Sequence, residues 1–308
     1  MRIENNIIVL LSSYNGEKYI GQQIESILKQ NIKRDIKLLI RDDASNDRTV
    51  EIIKQYMNND NRISLFQGDN IGYIASFFEL INGAGEYGYY ALSDQDDVWD
   101  EDKLLIAIQR IEAENFSGPI LYGSTSRLTT EDLNVYEITQ RKNKKLTFYN
   151  IIIQNILPGH TQVMNNKLIN LLRSNIDYSK IYVHDSFITN VAIIFGKVIF
   201  DNNPHTNYRQ HNNNQVGYGK GYFGWLKERM RRIKKGASKK YSEQIDYICD
   251  IFLKYLSLEE QKEMLIYKNS KCNLYKRFNY IIHTKLYRQK VSETILFKIL
   301  YLLGGYNN

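Results

Sequence analysis

The chain has 308 residues, of which 43% are hydrophobic, and this is enough apolar material for a sizeable core. We expect one large domain with an appendage in a reducing compartment, because Cys249 and Cys272 have neither metal-binding spacing nor the pattern of a disulfide framework. There is no signal-peptide pattern and no apolar stretch approaching the ~18 residues of a membrane span, which predicts a cytoplasmic protein.

The net charge of +7 is distributed unevenly along the chain. Residues 216–308 contain 19 Lys and Arg against 8 Asp and Glu, whereas residues 1–215 contain 22 against 26. The N-terminal two-thirds is therefore mildly acidic and the remainder strongly basic, which predicts different partners for the two parts.

The predicted elements of the N-terminal part alternate between strands and helices. Continuous apolar runs predict buried strands at residues 7–11 and 89–92, and largely apolar runs interrupted by Lys37 and Ser64 predict strands at residues 36–40 and 63–66. Apolar residues at helical spacing predict helices at residues 17–30, 50–57 and 73–84, and a further helix from Asp102 onward. Repeated alternation of this kind is typical of a parallel, doubly wound sheet, in which ligands bind at the carboxyl ends of the strands.

Polar clusters follow three of these strands, at residues 12–15, 42–47 and 94–97. Their position at strand ends is expected of a nucleotide site. The chain contains neither Gly-x-Gly-x-x-Gly nor the phosphate-binding Gly-x-x-x-x-Gly-Lys pattern. These absences argue against dinucleotide oxidoreductases and P-loop enzymes.

The third cluster contains Asp94, Asp96 and Asp97 within four residues, directly after a predicted central strand. Like charges this close repel, and burying them without partners is costly. Carboxylates at this density suit Mg²⁺ or Mn²⁺, which complete their coordination with water and substrate phosphates. The alternative is a solvated acidic loop that caps the following helix.

Beyond residue 105 the patterns are weaker. Short strands are predicted near residues 120–122 and 134–136, an apolar helix at 187–195, and a last strand before Tyr208. A basic amphipathic segment spans residues 225–235, and helical spacing recurs near residues 245–256 and 273–303. A basic amphipathic helix can bind a membrane surface, bind nucleic acid, or pack on the domain with its basic face in water.

Four motifs, in this order and spacing, resemble family 2 glycosyltransferases of the GT-A fold: Leu11–Gly16, Arg41–Asp47, Asn70–Gly72 and Asp94–Asp97. The form Ser-Asp-Gln-Asp-Asp-x-Trp is especially similar to bacterial rhamnosyltransferase-like members that build capsule, O-antigen or cell-wall polysaccharide. The resemblance is strong over residues 5–105, weaker to about residue 217, and absent beyond. It implies an α/β GT-A fold, a Rossmann-like sheet flanked by helices, as a catalytic domain over residues 1–217, with a basic α-helical region over residues 218–308.

The resemblance also implies roles on the donor side of the site. The residues expected to bind the nucleotide-sugar are Ser12, Tyr14, Asp42, Asp43, Asn70, Asp94, Gln95 and Arg209. Asp43 matches the aspartate that contacts the pyrimidine, with Asp42 as the less favoured neighbour, and Arg209 would contact the diphosphate. Asp96 and His211 would bind the metal ion, and imidazole suits Mn²⁺ better than Mg²⁺.

On the acceptor side, the resemblance implies that Asp185 is the catalytic base, with His184 standing where Glu is common in the family. His160, Trp99 and His184 are expected to face the acceptor. The alternatives are an N-cap role for Asp185, a loop histidine without function at position 160, and an ordinary polar strand end around Arg209.

These inferences predict an inverting, metal-dependent glycosyltransferase. The donor would be a dTDP- or UDP-sugar, with dTDP-rhamnose as one candidate, and the acceptor a saccharide or lipid-linked saccharide. Peripheral contact with the inner face of the membrane is expected through the basic C-terminal region, and the acidic strand ends argue against nucleic acid. Two alternatives remain: a nucleotidyltransferase, although residues 12–16 lack a Gly-rich basic loop, and a non-enzymatic basic module that binds membrane or nucleic acid.

Overall fold

The computed structural model describes residues 5–139, 145–174, 176–211, 231 and 236–307. The chain divides into two compact units. The first comprises residues 1–140, 157–179 and 195–210, and the second residues 141–156, 180–194 and 211–308. The predicted boundary after residue 217 and nearly all of the basic segment 225–235 lie outside the described residues, so that division stays a prediction.

The first unit is built on a nine-stranded sheet in the order β3-β2-β1-β4-β8-β6-β9-β5, with β7 paired to β6. The strands are β1 Ile7–Ser13, β2 Ile36–Asp42, β3 Ile63–Gln67, β4 Tyr89–Ser93, β5 Val98–Trp99, β6 Ile120–Thr129, β7 Val135–Ile138, β8 Val163–Asn165 and β9 Lys197–Arg209.

Helices flank this sheet and dominate the second unit. They are α1 Ile20–Leu28, α2 Thr49–Asn59, α3 Gly72–Gly83, α4 Lys103–Glu112, α5 Phe148–Ile151, α6 Asn166–Leu172, α7 His184–Phe195, α8 Ala237–Phe252, α9 Leu258–Ser270, α10 Leu274–His283 and α11 Val291–Leu302. The predicted α/β architecture with C-terminal helices is confirmed. Helix α9, in contrast, has no counterpart among the sequence predictions.

The sheet is mixed, with a block of four parallel strands and a second parallel pair formed by β6 and β9. Strands β3, β2, β1 and β4 run parallel, as predicted, whereas β8 is antiparallel to both β4 and β6, and β5 is antiparallel to β9. Only residues 94–97 separate β4 from β5, and a parallel crossover needs a dozen or more residues. The acidic loop is therefore too short to return the chain in the parallel direction.

Buried strands explain why the N-terminal half folds this way. Residues Ile7–Leu11 and Tyr89–Ser93 are all buried, so β1 and β4 are apolar on both faces, which is typical of central parallel strands. Helices α1 and α4 bury isoleucine, leucine and alanine side chains in the same core cluster. This core fixes the strand ends, and with them the loops that carry the polar clusters.

The second unit has a core rich in tyrosine. Tyr267, Tyr280 and Tyr301 are buried, and the Tyr280 and Tyr301 rings lie 4.9 Å apart between centroids. Lys271 and Asp246 form a buried ion pair at 2.7 Å, and the Lys271 amine also donates to the Ser242 hydroxyl. Among the described residues, none of the helices combines the length and the apolar character that crossing a membrane requires.

Candidate active site

The carboxyl ends of β1, β2 and β4 bring the three polar clusters to one edge of the sheet. Ser13 of β1 pairs with Asp42 of β2, and Leu11 of β1 pairs with Ser93, the last residue of β4. The loops that follow these strands therefore lie beside one another, as expected for a ligand site in an open α/β sheet.

Asp94 and Asp97, in the loop after β4, meet the ring of His160, which lies in the short helical turn before β8. The Nδ1 atom of His160 lies 3.8 Å from Oδ2 of Asp94 and 3.9 Å from Oδ2 of Asp97. One ligand atom from each of these three residues falls within 4.8 Å of the others, which is a spacing that could hold a metal ion. Asp97 and His160 are buried, whereas the Asp94 side chain is 39% exposed and gives the group an open side.

Asp97 is the residue whose environment most requires a cation. Its Oδ1 atom accepts a hydrogen bond from the Arg209 backbone N–H at 3.2 Å, but its buried Oδ2 accepts none within the described part of the chain. Burial raises the pKa of Asp97 well above its usual value, and the charges of Asp96 and Asp94 raise it further. A bound divalent ion would satisfy this oxygen and offset the crowded charge, so the residues present fit the implied metal.

His160 is held so that its Nδ1 atom faces the carboxylates. Its Nε2 atom lies 2.7 Å from the Ser126 hydroxyl, and its ring stacks on Tyr208 with centroids 4.4 Å apart. When Nε2 carries the proton and donates to Ser126, Nδ1 is left as an acceptor that can bind a metal ion. Its predicted role toward the acceptor stays a prediction. The sequence did not reveal its place beside Asp94 and Asp97, because more than 60 residues separate them in the chain.

Lys103 is a buried lysine that contacts this group and that the sequence analysis did not identify. Its amine donates to the His160 backbone carbonyl at 2.6 Å and lies 3.3 Å from the centroid of the Trp99 ring. Burial lowers the pKa of Lys103 well below its usual value, while Asp97, Asp94 and Asp100 act in the opposite direction. Lys103 thus ties the segment carrying His160 to the start of α4. Its position in the first turn of a predicted helix did not indicate that Lys103 would be buried against His160.

Arg209 fastens the acidic loop from the end of β9. Its Nε donates to the Asp96 backbone carbonyl at 2.9 Å, one terminal nitrogen donates to the Glu131 backbone carbonyl, and the other donates to the Gln22 side chain at 2.6 Å. The side chain is almost fully buried, and burial lowers its pKa. These contacts position the loop, and the predicted contact of Arg209 with a diphosphate stays a prediction.

Gln95 links the first and third clusters. Its Oε1 accepts from the Tyr14 N–H at 2.8 Å, and its Nε2 donates to the Tyr14 carbonyl at 2.9 Å. A Cβ atom on Gly16 would lie only 2.3 Å from the Gln95 Oε1, so this close approach requires glycine. Ser12 lies close by in β1, where its hydroxyl is 2.7 Å from that of Ser76, and the Tyr14 side chain is exposed.

Asp42 and Asp43 are both buried but hold different segments. Asp42 accepts from the Ser13 hydroxyl and from the backbone N–H and hydroxyl of Ser45, which closes its own loop. Asp43 pairs with Arg41 and accepts from the backbone N–H groups of Ile71 and Gly72, both at 2.9 Å. A carboxylate has about four lone-pair sites, so Asp43 retains capacity for one further donor.

Asn70 and Trp99, two further residues predicted to belong to the site, differ in the exposure of their side chains. Asn70 is exposed in the loop between β3 and α3, next to the backbone that Asp43 holds. Trp99 is buried in β5, and its backbone N–H donates to Ser26. Packing against Lys103 is a structural reason for a tryptophan here, and the predicted acceptor-side role of Trp99 stays a prediction.

Asp185, His184 and His211 belong to the second unit and are described by themselves. Asp185 lies in the first turn of α7, where its Oδ2 accepts from the Asn155 amide at 2.8 Å and its Oδ1 accepts from the Ser186 N–H at 2.8 Å. Burial lowers the pKa of His184, with the Asp185 charge acting in the opposite direction, so this ring favours its neutral form. His211 is half-buried and immediately precedes residues outside the described ranges. Its predicted role as a metal ligand stays a prediction.

A second group of possible ligands, Asp100, Asp102 and His205, is less suited to a cation. Both carboxylate oxygens of Asp100 accept from the Arg127 guanidinium, which already offsets its charge. The first group has a buried carboxylate oxygen that receives no hydrogen bond from the part of the chain that the structure describes, so it is the stronger candidate metal site.

Comparison with known proteins begins with the sequence. The family model described as glycosyl transferase family 2 matches residues 8–170, which include β1 to β4 and the whole candidate metal site. A dTDP-rhamnosyl transferase of Shigella flexneri, RfbG, is 28% identical over 255 residues, covering 78% of this chain and 83% of RfbG.

Solved structures resemble the chain over nearly its whole length. TarS residues 1–349 of S. aureus in complex with UDP-GlcNAc aligns with a TM-score of 0.60 at 15% identity, covering 98% of this chain and 89% of that one. The mannosyltransferase PcManGT of Pyrobaculum calidifontis in complex with GDP-Man and Mn²⁺ aligns with a TM-score of 0.56 at 13% identity, covering 98% and 86%. At such identities the likeness concerns the fold, and it confirms the predicted GT-A architecture.

Proposed function

Because the chain belongs to glycosyl transferase family 2, we propose that it transfers a sugar from a nucleoside diphosphate sugar to an acceptor hydroxyl with inversion at the anomeric carbon. The observation that carries the proposal is the group formed by Asp94, Asp97 and His160 at the carboxyl edge of the parallel strands. This is where an open α/β sheet binds a nucleotide, and where carboxylates can share a cation with a diphosphate.

The proposed cofactor is Mn²⁺ or Mg²⁺, held by Asp94, Asp97 and His160. Support comes from the hydrogen-bond vacancy on Oδ2 of Asp97 within the described residues, and from Mn²⁺ in the related mannosyltransferase structure. When bound, such an ion offsets the charge that develops on the leaving diphosphate. Imidazole in the ligand set favours Mn²⁺ over Mg²⁺.

The donor proposed is a pyrimidine nucleotide-sugar, with dTDP-rhamnose first among the candidates. The similarity to RfbG, a dTDP-rhamnosyl transferase, extends over 78% of the chain and supports this choice. TarS in complex with UDP-GlcNAc makes a UDP-sugar the second candidate. The base would rest against the loops that Asp42 and Asp43 stabilise, near the exposed Tyr14 side chain.

Asp185 is the proposed general base. Its carboxylate is oriented by the Asn155 amide and the Ser186 N–H, so one face of the group is fixed by the protein. It would remove the proton from the acceptor hydroxyl as that oxygen attacks the anomeric carbon in line with the departing diphosphate. The acceptor proposed is a saccharide or lipid-linked saccharide of a bacterial surface polysaccharide.

A panel of nucleotide-sugars tests this function. The purified chain is incubated with dTDP-rhamnose, UDP-GlcNAc, UDP-glucose or GDP-mannose, with Mn²⁺ or with chelator, and the release of nucleoside diphosphate is measured. We expect turnover of a dTDP- or UDP-sugar that depends on the metal ion and rises with a saccharide acceptor. Preferential turnover of GDP-mannose would contradict the pyrimidine donor, and turnover unaffected by chelator would contradict the metal.

A further inference from the structure

Two neighbouring helices of the second unit expose apolar side chains instead of burying them. We call the exposed residues that line the groove between these helices the α9–α10 surface, and its apolar members are Leu258, Leu265, Ile266 and Tyr275. Leu258 is 85% exposed and Tyr275 is 81% exposed. A contiguous apolar patch of this kind on a protein surface marks a binding site for a partner or a membrane.

These side chains form one surface because the two helices border a shared groove. The groove has a volume of about 510 Å³, and both Leu258 of α9 and Tyr275 of α10 line it. On α10, the exposed Leu274, Phe278 and Ile282 follow at four-residue spacing along another face of the helix and are not part of this groove. Tyr280, the buried residue of α10, also lines the groove and contacts the Tyr301 ring of the tyrosine core.

The charged side chains that line this groove are lysines. Lys262 and Lys276 line the groove together with the apolar residues, and both are exposed. Neither forms an ion pair within the described ranges, whereas the nearby exposed Glu259 is already paired with Lys285. The groove thus combines aliphatic and aromatic side chains with two cations that nothing in the described chain neutralises.

We propose that the α9–α10 surface binds an anionic lipid bilayer. Lysine is depleted from interfaces between proteins, which argues against a protein partner for a groove lined by two of them. At a bilayer the same composition is favourable, since aromatic and aliphatic side chains enter the acyl boundary while lysine amines reach the anionic headgroups. The proposal does not rest on the proposed reaction, although it would hold the chain where a lipid-linked acceptor resides.

The contact proposed here is distinct from the basic segment 225–235, which lies almost wholly outside the described residues. Both could contribute to membrane binding, so the experiment must leave that segment unchanged. Point substitutions on α9 and α10 achieve this in the full chain, and at exposed positions such substitutions usually change stability by no more than about 0.5 kcal/mol.

The test is co-sedimentation of the full chain with vesicles of phosphatidylglycerol and phosphatidylcholine, or of phosphatidylcholine alone, at low and high salt. The apolar variant Leu258→Ser/Tyr275→Ser is expected to lose about tenfold or more of its partitioning. The charge variant Lys262→Gln/Lys276→Gln is expected to lose roughly twenty-fivefold on anionic vesicles, at about fivefold per lysine, and little on phosphatidylcholine alone.

Matched controls carry the same changes elsewhere. Val135→Ser on β7 replaces another exposed apolar side chain, and Lys54→Gln on α2 replaces another exposed lysine. Both should bind vesicles like the unmodified chain, and melting curves should show that every variant is folded.

Two results would overturn the proposal. In the first, both α9–α10 variants bind anionic vesicles as well as the controls do, which would assign any membrane contact to another part of the chain. In the second, light scattering shows that the unmodified chain self-associates, the apolar variant is monomeric, and neither binds vesicles. The α9–α10 surface would then be an interface between copies of the chain.

Discussion

Asp96 and Asp97 are adjacent carboxylates in different surroundings. The family resemblance predicts that Asp96 binds the metal ion, whereas the structure groups Asp97 with Asp94 and His160. Because burial raises the pKa of Asp97 above the ~3.9 of an unfolded aspartate, holding it ionised opposes folding at any pH above that value. A cation that binds only the folded state would reverse this cost.

Asp97→Asn removes the buried charge without changing the shape of the side chain. Without metal, we expect its melting temperature at neutral pH to equal or exceed that of the unmodified chain. Added Mn²⁺ should raise the melting temperature of the unmodified chain and of Asp96→Asn. It should raise the melting temperature of Asp97→Asn much less. The reverse order, with the Mn²⁺ response lost in Asp96→Asn and kept in Asp97→Asn, would assign the metal to Asp96.

Asp185→Asn separates catalysis from a structural role in the first turn of α7, since the structure places Asp185 inside the helix and not at its N-cap. Asparagine preserves an oxygen for the Ser186 N–H and loses only the favourable interaction of a charge with the helix dipole, about 0.3–1 kcal/mol, so the melting temperature should change little. It cannot accept a proton, and loss of general-base catalysis typically lowers the rate by about 10²–10⁴-fold. The measurement is donor turnover beside a melting curve and nucleotide affinity. Near-normal turnover in a folded variant would refute the assignment and direct attention to His184.

At the scale of elements, the loops after β1 and β4 are linked by a side chain. Gln95 exchanges two hydrogen bonds with the Tyr14 backbone, and a Cβ on Gly16 would collide with the Gln95 amide. Gly16→Ala should therefore displace Gln95 and release both loops. Since each hydrogen bond contributes about 0.5–1.5 kcal/mol, nucleotide binding should weaken by roughly 1–3 kcal/mol.

A double-mutant cycle tests this link. In a Gln95→Ala background, where the collision and the hydrogen bonds are both absent, Gly16→Ala should have almost no additional effect on nucleotide affinity. Calorimetric titration of the four chains with dTDP and UDP measures the coupling. Additive effects of the two substitutions would mean that Gly16 acts independently of Gln95.

Elements with strong apolar patterns could be predicted from sequence, and elements held by distant contacts could not. Strands β1 and β4 were predicted from continuous apolar runs that are buried in the structure, and β2 and β3 from apolar runs interrupted by Lys37 and Ser64, which are exposed. Helix α9 was missed because it exposes Leu265 and Ile266, which blurs its apolar period, although Ser257 and Glu260 form the capping box that marks its start. The grouping of Asp94 with His160 depends on the pairing of β4 with β8, which single-sequence patterns do not reveal.

At the scale of the whole molecule, the reactivity of the two cysteine thiols tests the packing of the second unit. Cys249 is buried in α8, where burial raises the pKa of its thiol to about 12, whereas Cys272 is exposed. Thiol reagents attack the thiolate, so one thiol per chain should react quickly at neutral pH and the second only in denaturant. Cys272→Ser should abolish the fast phase. Two fast thiols in the native chain would contradict the packing of α8.

Segments of the two units alternate along the sequence, and this order matters while the chain is being synthesised. The backbone N–H groups of Tyr182 and Val183, just before Asp185, donate to the Gln244 side chain at 2.9 Å, and Ser186 contacts Tyr241. Gln244 follows Val183 by 61 residues. At the ~5–20 residues per second of a ribosome, the segment that carries the proposed base leaves the ribosome about 3–12 seconds before the helix that fixes it. A nascent chain therefore completes its β1–β4 edge well before it can position Asp185, and a message broken before α8 yields a chain without the contacts that fix this segment.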